Sequence, residues 1–155
     1  MTNHYTVAVK QALVDAKKIA EDNCNYLLDI PHLWSALLKE EHFAYEFYKE
    51  LHIDMNEFIH LVNDEVEKIS SLSGTDITYG EKQSQRLRKL LKQAELEAKH
   101  LRDRYVTVEH LLIALFDQEF NPLTKFLLEN KINKQTIVKK MNKDRKGKKA
   151  MSENQ

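Results

Sequence analysis

The chain contains one cysteine, two prolines and three glycines in 155 residues, and these low counts limit the kinds of structure that it can form. A single cysteine, Cys24, can form neither an intrachain disulfide nor a cysteine-based zinc site. We expect its side chain to be buried or half-buried, as small apolar side chains usually are. The few glycines and prolines predict short turns and a mostly helical structure.

The chain also lacks a net charge and long apolar runs. Its 24 basic and 24 acidic residues cancel, which argues against a protein built to bind nucleic-acid phosphates. The apolar runs are too short to cross a bilayer, and the N-terminus lacks the pattern of a signal peptide. We therefore expect a soluble, cytoplasmic protein with neither nucleic acid nor a membrane among its partners.

One stretch departs from the charge balance. Residues 139–149 include seven basic residues and a single acid, Asp144. A basic run can bind an anionic surface, but lysine and arginine also complement the dipole at the C-terminus of a helix. We interpret this stretch as a solvated helix end that leads into an exposed linker.

One heptapeptide occurs twice. The sequence HLWSALL at residues 32–38 returns as HLLIALF at residues 110–116, 78 residues later. The same offset relates four further pairs, namely Leu13 and Leu91, Ala16 and Ala94, Ala20 and Ala98, and Asn25 and Asp103. Such self-similarity indicates a duplicated supersecondary unit. We place one domain at residues 1–142, with a first copy at about 5–69, a joint at 70–82 and a second copy at about 83–142.

Apolar residues recur at helical spacing within each copy. The first helix of each copy shows intervals of three and four residues, with Thr6 and Ser84 as candidate caps. The second helices follow Asp29 and Thr107, and two more helices complete each copy. We therefore predict an all-α fold of eight helices, arranged as two pseudo-symmetric four-helix repeats that pack into one globular domain.

Catalytic motifs are missing from the sequence. It has no glycine-rich phosphate loop and no serine nucleophile elbow, so we do not expect this chain to be an enzyme. Two Glu-x-x-His spacings, Glu57 with His60 and Glu97 with His100, match the pairs that di-iron bundles direct inward. The apolar positions lie on the opposite face of both helices, so we interpret these pairs as solvated. A metal-dependent helical-bundle enzyme is the remote alternative.

The repeated histidines call for a structural interpretation. His32 and His110 each follow a candidate cap by three residues, so we expect them to fix the entry of a helix by hydrogen bonding. A role as a general base would need nucleophile or carboxylate partners that the pattern does not supply. Trp34 lies on an apolar helix face, where we expect it to be part of the core.

The combined pattern resembles a known family. Each copy has Thr or Ser, then Ala-x-x-x-Ala, then His-Leu-x-x-Ala-Leu, a further helix and Ile-(Asp/Asn). This pattern is similar to the duplicated Clp N-terminal domain of AAA+ unfoldases and disaggregases, and YVTVEHLLIALFDQ is its most family-like stretch. The tail KDRKGKKAMSENQ resembles the segment that leads into the first ATPase module of ClpB-type disaggregases. We therefore expect residues 143–155 to begin a linker to such a module.

The resemblance implies a binding module. In the family, this domain binds exposed apolar segments of unfolded or aggregated polypeptides. A hexameric ATP-driven ring then threads them, in cooperation with the DnaK chaperone system. The resemblance implies no cofactor in this domain, whereas ATP and Mg²⁺ belong to the ATPase module of the full-length protein. The isolated domain is expected to be a monomer.

The resemblance also implies which residues contact the client chain. They are Thr6, Leu90, Leu91, Asp103, Val108, Glu109 and Leu112, with the apolar members forming a groove. Each has a structural alternative. Thr6 and Glu109 could cap helices, Asp103 could pair with Arg102 or Arg104, and the leucines could belong to the core.

Two further alternatives concern the parent protein and the groove. A ClpC-type unfoldase usually carries glycine-rich segments such as LGH and GEG, which this chain lacks, so the ClpB type is preferred. A stand-alone Clp adaptor would end shortly after Met141. His110 stands where some relatives have an apolar residue. It either trims the groove or only orients the turn.

Overall fold

The computed structural model describes residues 4–154, and the predicted all-α fold with eight helices is confirmed. The helices are α1 (Val7–Asp22), α2 (Ile30–Leu37), α3 (Phe43–Lys49), α4 (Met55–Glu67), α5 (Gln85–His100), α6 (Val108–Ala114), α7 (Pro122–Glu129) and α8 (Lys134–Arg145). Two short strands, β1 (Leu27–Leu28) and β2 (Lys82–Gln83), and a 3₁₀ turn at Leu115–Asp117 complete the elements. Among residues 4–154, no helix is both long and apolar enough to cross a membrane.

The predicted caps begin the two long helices. The Thr6 hydroxyl oxygen accepts the N–H of Val9 at 3.3 Å, and the Ser84 oxygen accepts the N–H of Leu87 at 3.0 Å. Each hydroxyl satisfies an N–H that has no partner within its own helix. Thr6 is fully buried, so this cap lies inside the protein.

The apolar stripes of α1 and α5 are buried, as their spacing predicts. The buried members are Val9, Ala12, Ala16 and Ala20 on α1, and Leu87, Leu90, Leu91, Ala94 and Ala98 on α5. Leu13 and Ile19, at the margin of the stripe on α1, are half-buried. The faces follow from the helical period, because residues three and four apart share one side of a helix.

The chain forms two compact units that differ from the two sequence copies. One unit comprises Gln11–Arg88, and the other joins the residues up to Lys10 with those from Lys89 onward. We call the second one the tail unit, because it contains the C-terminal segment. The tail unit therefore includes the first residues of the first sequence copy, and the Gln11–Arg88 unit includes the first residues of the second copy. We call these residues the entry segments.

Parallel backbone pairing holds each entry segment in its unit. In the Gln11–Arg88 unit, Leu28 of β1 lies opposite Gln83 of β2. In the tail unit, Tyr5 forms an equivalent parallel bridge with Val106. Positions 5 and 83 differ by 78, as do positions 28 and 106, so the two bridges repeat one another.

In the Gln11–Arg88 unit, α2 packs on α3 and α4 around an aromatic core. Trp34 is fully buried, as predicted, and its indole N–H donates to the hydroxyl of Tyr48 at 3.1 Å. The ring of Tyr48 meets Phe58 edge-on, with the centroids 5.2 Å apart. The hydroxyl of Tyr48 thus gives the buried indole the polar partner that it needs.

Left-handed residues end several helices at repeated positions. Cys24 and Arg102, which are 78 residues apart, follow α1 and α5 with φ of 55° and 62°. At this turn the chain directs Asn25 inward and Cys24 outward. The expected burial of Cys24 is therefore wrong, because its position in the turn exposes it.

Candidate functional site

All seven residues that the family resemblance implies for client contact lie in the tail unit. Each of them is buried. Thr6, Asp103 and Glu109 are polar, and a buried polar side chain without a hydrogen-bond partner destabilises the fold. Each of the three therefore needs partners inside the protein.

The apolar groove is not open in this structure. Leu90 and Leu112 have no exposed surface, and Leu91 and Val108 are only 5% and 6% exposed. The helical spacing that places these side chains on one face also turns that face towards the core of the unit. In this structure Leu90, Leu91, Val108 and Leu112 are therefore core residues and do not line an open groove. Their contact with a client stays a prediction.

His110 fixes the entry of α6. Its Nδ1 accepts the backbone N–H of Thr107 at 2.8 Å, and its Nε2 donates to Oδ2 of Asp103 at 2.8 Å. One ring nitrogen accepts while the other donates, which is the arrangement of the neutral imidazole. His110 is fully buried, so it orients the turn instead of lining a surface. The structural interpretation of this histidine is confirmed.

His32 fixes the entry of α2 in the first copy in the same way. Nδ1 of His32 accepts the N–H of Asp29 at 2.9 Å, and Nε2 meets the side-chain oxygen of Asn25 at 2.8 Å. Burial, as the largest contribution, lowers the pKa of His32 below its ordinary value. Both histidines therefore belong to the scaffold.

Arg145 joins the two predicted acidic residues. Its Nη1 lies 2.7 Å from Oδ2 of Asp103, and its Nη2 lies 2.6 Å from Oε1 of Glu109. Nη2 also donates to the hydroxyl oxygen of Thr107 at 3.3 Å. The two acids therefore share one guanidinium, whose planar array of donors suits such bridging. We call Asp103, Thr107, Glu109, His110 and Arg145 the acid cluster.

Arg145 is a member of this cluster that the sequence pattern did not predict. The residue lies within the basic run at 139–149, which we interpreted as a solvated helix end. The expected partners of Asp103 were Arg102 and Arg104, and the observed one is Arg145. The only available signal was an unusual excess of charge, which does not distinguish a buried partner from a solvated one.

The acid cluster shifts the pKa of each carboxyl in a different direction. Burial raises the pKa of Asp103, but hydrogen bonds from His110, the Ala150 N–H and Arg145 outweigh burial and hold that pKa well below its ordinary range. Burial dominates at Glu109 and raises its pKa despite the opposing charge of Arg145. Asp103 is thus the anion around which the cluster is organised.

The end of the chain docks beside this cluster. The N–H of Ala150 donates to Oδ1 of Asp103 at 2.8 Å. The carbonyl of Ala150 accepts the N–H groups of Arg104 and Tyr105 at 2.9 and 3.1 Å. Three residues further on, the Glu153 carbonyl accepts the N–H of Val7 at 2.7 Å. Residues 148–153, which we call the tail segment, thus bind the unit mainly through their backbone.

The Glu-x-x-His pairs do not form a metal site. Glu97 is buried and bonded to Gln93 and to Lys134, whose ammonium lies 3.1 Å away, so its expected solvation is wrong. His60 is exposed and lies 3.5 Å from Asp64. Among residues 4–154, no group of three or more histidines, cysteines or acids is placed to hold a metal ion.

Comparison with known proteins adds three kinds of similarity. The model of the Clp repeat (R) N-terminal domain matches residues 4–130. The chaperone protein ClpB of Lactococcus lactis subsp. cremoris is 34% identical over 149 residues, which cover 96% of this chain and 17% of that protein. ClpB of Enterococcus faecalis is 29% identical over 150 residues, or 97% of this chain and 17% of that protein. The chain therefore spans about a sixth of the length of these curated relatives.

The fold is also found in a solved structure. The Hsp104 N-terminal domain from Candida albicans superposes with a TM-score of 0.79, at 20% identity and with 97% of both chains covered. This likeness concerns the fold alone.

Proposed function

We propose, since this chain belongs to the Clp repeat N-terminal domain family, that it is the substrate-recognition domain of a ClpB-type protein disaggregase. The match to ClpB over 96% of the chain is the observation that carries this proposal. In this function the domain binds exposed apolar segments of unfolded or aggregated polypeptides. It delivers them to a hexameric ATP-driven ring, which works with the DnaK chaperone system. ATP and Mg²⁺ act in the ATPase module of the parent protein.

The surface near the predicted contact residues supports such binding. Val7, next to Thr6, is 48% exposed, and Met151, next to the docked Ala150, is 57% exposed. Both side chains flank backbone groups that are hydrogen-bonded in the tail unit. Exposed apolar side chains beside polar groups suit a receptor that accepts many sequences, because apolar contact is not directional.

Titration of fluorescently labelled, permanently unfolded casein tests this proposal. Wild-type protein is expected to bind it weakly, and Val7→Ser is expected to weaken binding. Losing the apolar part of a valine contact costs about 1 kcal/mol, or about a fivefold rise in Kd. Leu128→Ser is the matched control, since Leu128 is 45% exposed in the same unit. It should bind casein as the wild type does.

Three results are informative. Weaker binding by Val7→Ser alone supports a client contact at the start of α1. Equal binding by all three proteins rejects that contact but leaves client binding intact. No binding of casein by the wild type contradicts the proposed function.

A further inference from the structure

The tail segment is held in the manner of a bound peptide. Ala150 uses its N–H and its carbonyl for three hydrogen bonds, to Oδ1 of Asp103 and to the backbone of Arg104 and Tyr105. Its methyl group is only 1% exposed, whereas the four residues on either side of it are exposed. Docking thus uses one small buried side chain and a hydrogen-bonded backbone, and two charged side chains add to it at the surface. The Lys149 ammonium donates to the carbonyl of Leu101 at 3.0 Å, and the Glu153 carboxylate lies 3.8 Å from the Lys10 ammonium.

Recognition of this kind places few demands on sequence. Backbone N–H and carbonyl groups are present in every polypeptide, so a receptor that binds them accepts many chains. A pocket for one small apolar side chain adds affinity without selecting a long motif. These are the properties that a receptor for unfolded chains requires, and here a segment of the protein itself meets them.

The docked segment also binds one of the residues expected to contact clients, Asp103, and the neighbour of another, Val7. Ala150 binds Asp103 directly, and Asp103 shares Arg145 with Glu109. Glu153 binds the N–H of Val7, the residue after Thr6. A client that reached Thr6 and Asp103 would therefore meet groups that the tail segment already occupies.

We propose that the tail segment is a resident ligand of the client site, and that an unfolded chain binds there by displacing it. This inference rests on the proposed function. A tethered ligand has an effective concentration in the millimolar range, so it weakens the apparent affinity of every competitor. Releasing the segment should therefore tighten client binding by about three- to tenfold.

Two variants of the full chain release the segment by different means. Ala150→Asp places a carboxylate in the buried position beside Asp103, where like charges repel. Gly147→Val acts on the backbone, because Gly147 has φ of 84°. An added Cβ would meet nothing within 4 Å, so the substitution causes no side-chain clash. A β-branched residue is strained at that φ, so the chain should leave α8 in another direction. Asn154→Asp, which adds a carboxylate at an exposed position just after the segment, is the matched control.

Amide hydrogen exchange, followed by NMR, reports docking without any client. Release should abolish protection of the Arg104 and Tyr105 amides, which donate to Ala150 in the wild type. Casein titrations of the same proteins then report competition. A synthetic peptide of residues 147–154 (GKKAMSEN) should displace casein from Ala150→Asp.

The expected result is loss of amide protection together with tighter casein binding in both release variants, while Asn154→Asp matches the wild type. Loss of protection with unchanged or weaker casein binding would overturn the inference and leave the proposed function standing. Unchanged protection in both release variants would show that the segment does not dock as described. If neither the wild type nor a release variant binds casein, the proposed function fails as well.

Discussion

Asn25 and Asp103 occupy the same position in the two copies, and their neighbours explain why they differ. Both oxygens receive the Nε2 proton of a buried histidine. Asn25 must also donate, and its amide binds the carbonyls of Ile69 and Ser70 at 3.3 and 3.1 Å. Asp103 must only accept, from Arg145 and from the Ala150 N–H. Each residue type follows from whether its surroundings offer acceptors or donors.

Asn25→Asp is therefore expected to destabilise the protein by about 2–3 kcal/mol, because it removes two donated hydrogen bonds and buries a carboxylate. Urea unfolding at pH 7 measures the change. Asn63→Asp is the control, since Asn63 is exposed and uses its oxygen to accept from Ser35. Equal stability of Asn25→Asp and Asn63→Asp would show that Asn25 is not needed as a donor.

Helix α8 is longer than its apolar spacing indicates, and the extension contains the cation of the acid cluster. Ile137 and Met141 are its buried residues, and the helix continues to Arg145 before Lys146 turns with φ of 52°. This last turn brings a cation to two acids that are 42 and 36 residues away in sequence. The end of α8 thus binds the turn between α5 and α6 through the guanidinium of Arg145.

Replacing this cation should be costly. Arg145→Met leaves Asp103 and Glu109 buried without their cation, and such a loss destabilises a protein by about 3 kcal/mol. Lys143→Met removes an exposed charge from the same helix and should change stability by less than about 0.5 kcal/mol. Thermal unfolding of both variants beside the wild type is the measurement. A similar Tm for the two variants would mean that the guanidinium does not stabilise the cluster.

The chain as a whole has no net charge, but its paired carboxyls give it a defined response to acid. Burial raises the pKa of Asp29, Glu97 and Asp103, yet their hydrogen bonds and cationic partners outweigh it, so each pKa is lowered. A lowered folded-state pKa stabilises the protein above the unfolded pKa, and this contribution is lost as the pH falls through the folded pKa. Glu109, whose pKa is raised, acts in the opposite sense.

The protein is therefore expected to lose stability as the pH falls below about 4, near the pKa values of unfolded carboxyls. Asp103→Asn should be less stable than the wild type at pH 7, and the difference should shrink from pH 4 downward. Urea unfolding at pH 7, 5, 4 and 3 checks this, with exposed Asp22→Asn as the control. A constant difference at every pH would contradict a lowered pKa at Asp103.

Local patterns were sufficient for much of this protein. The helical period and the caps at Thr6 and Ser84 predicted the eight helices and their buried faces, because these signals come from residues within a few positions of one another. The three-residue spacing before His32 and His110 likewise predicted their role at the helix entry.

Long-range contacts settled the rest. The partner of Asp103, the burial of Ala150 and the exchange of entry segments between units all join residues far apart in sequence. Such contacts leave no periodic trace in a single sequence, and a basic run looks the same whether its members are solvated or paired. The repeat of His32 and His110 thus predicts the scaffold, whereas the folded chain decides that its own tail lies against Asp103.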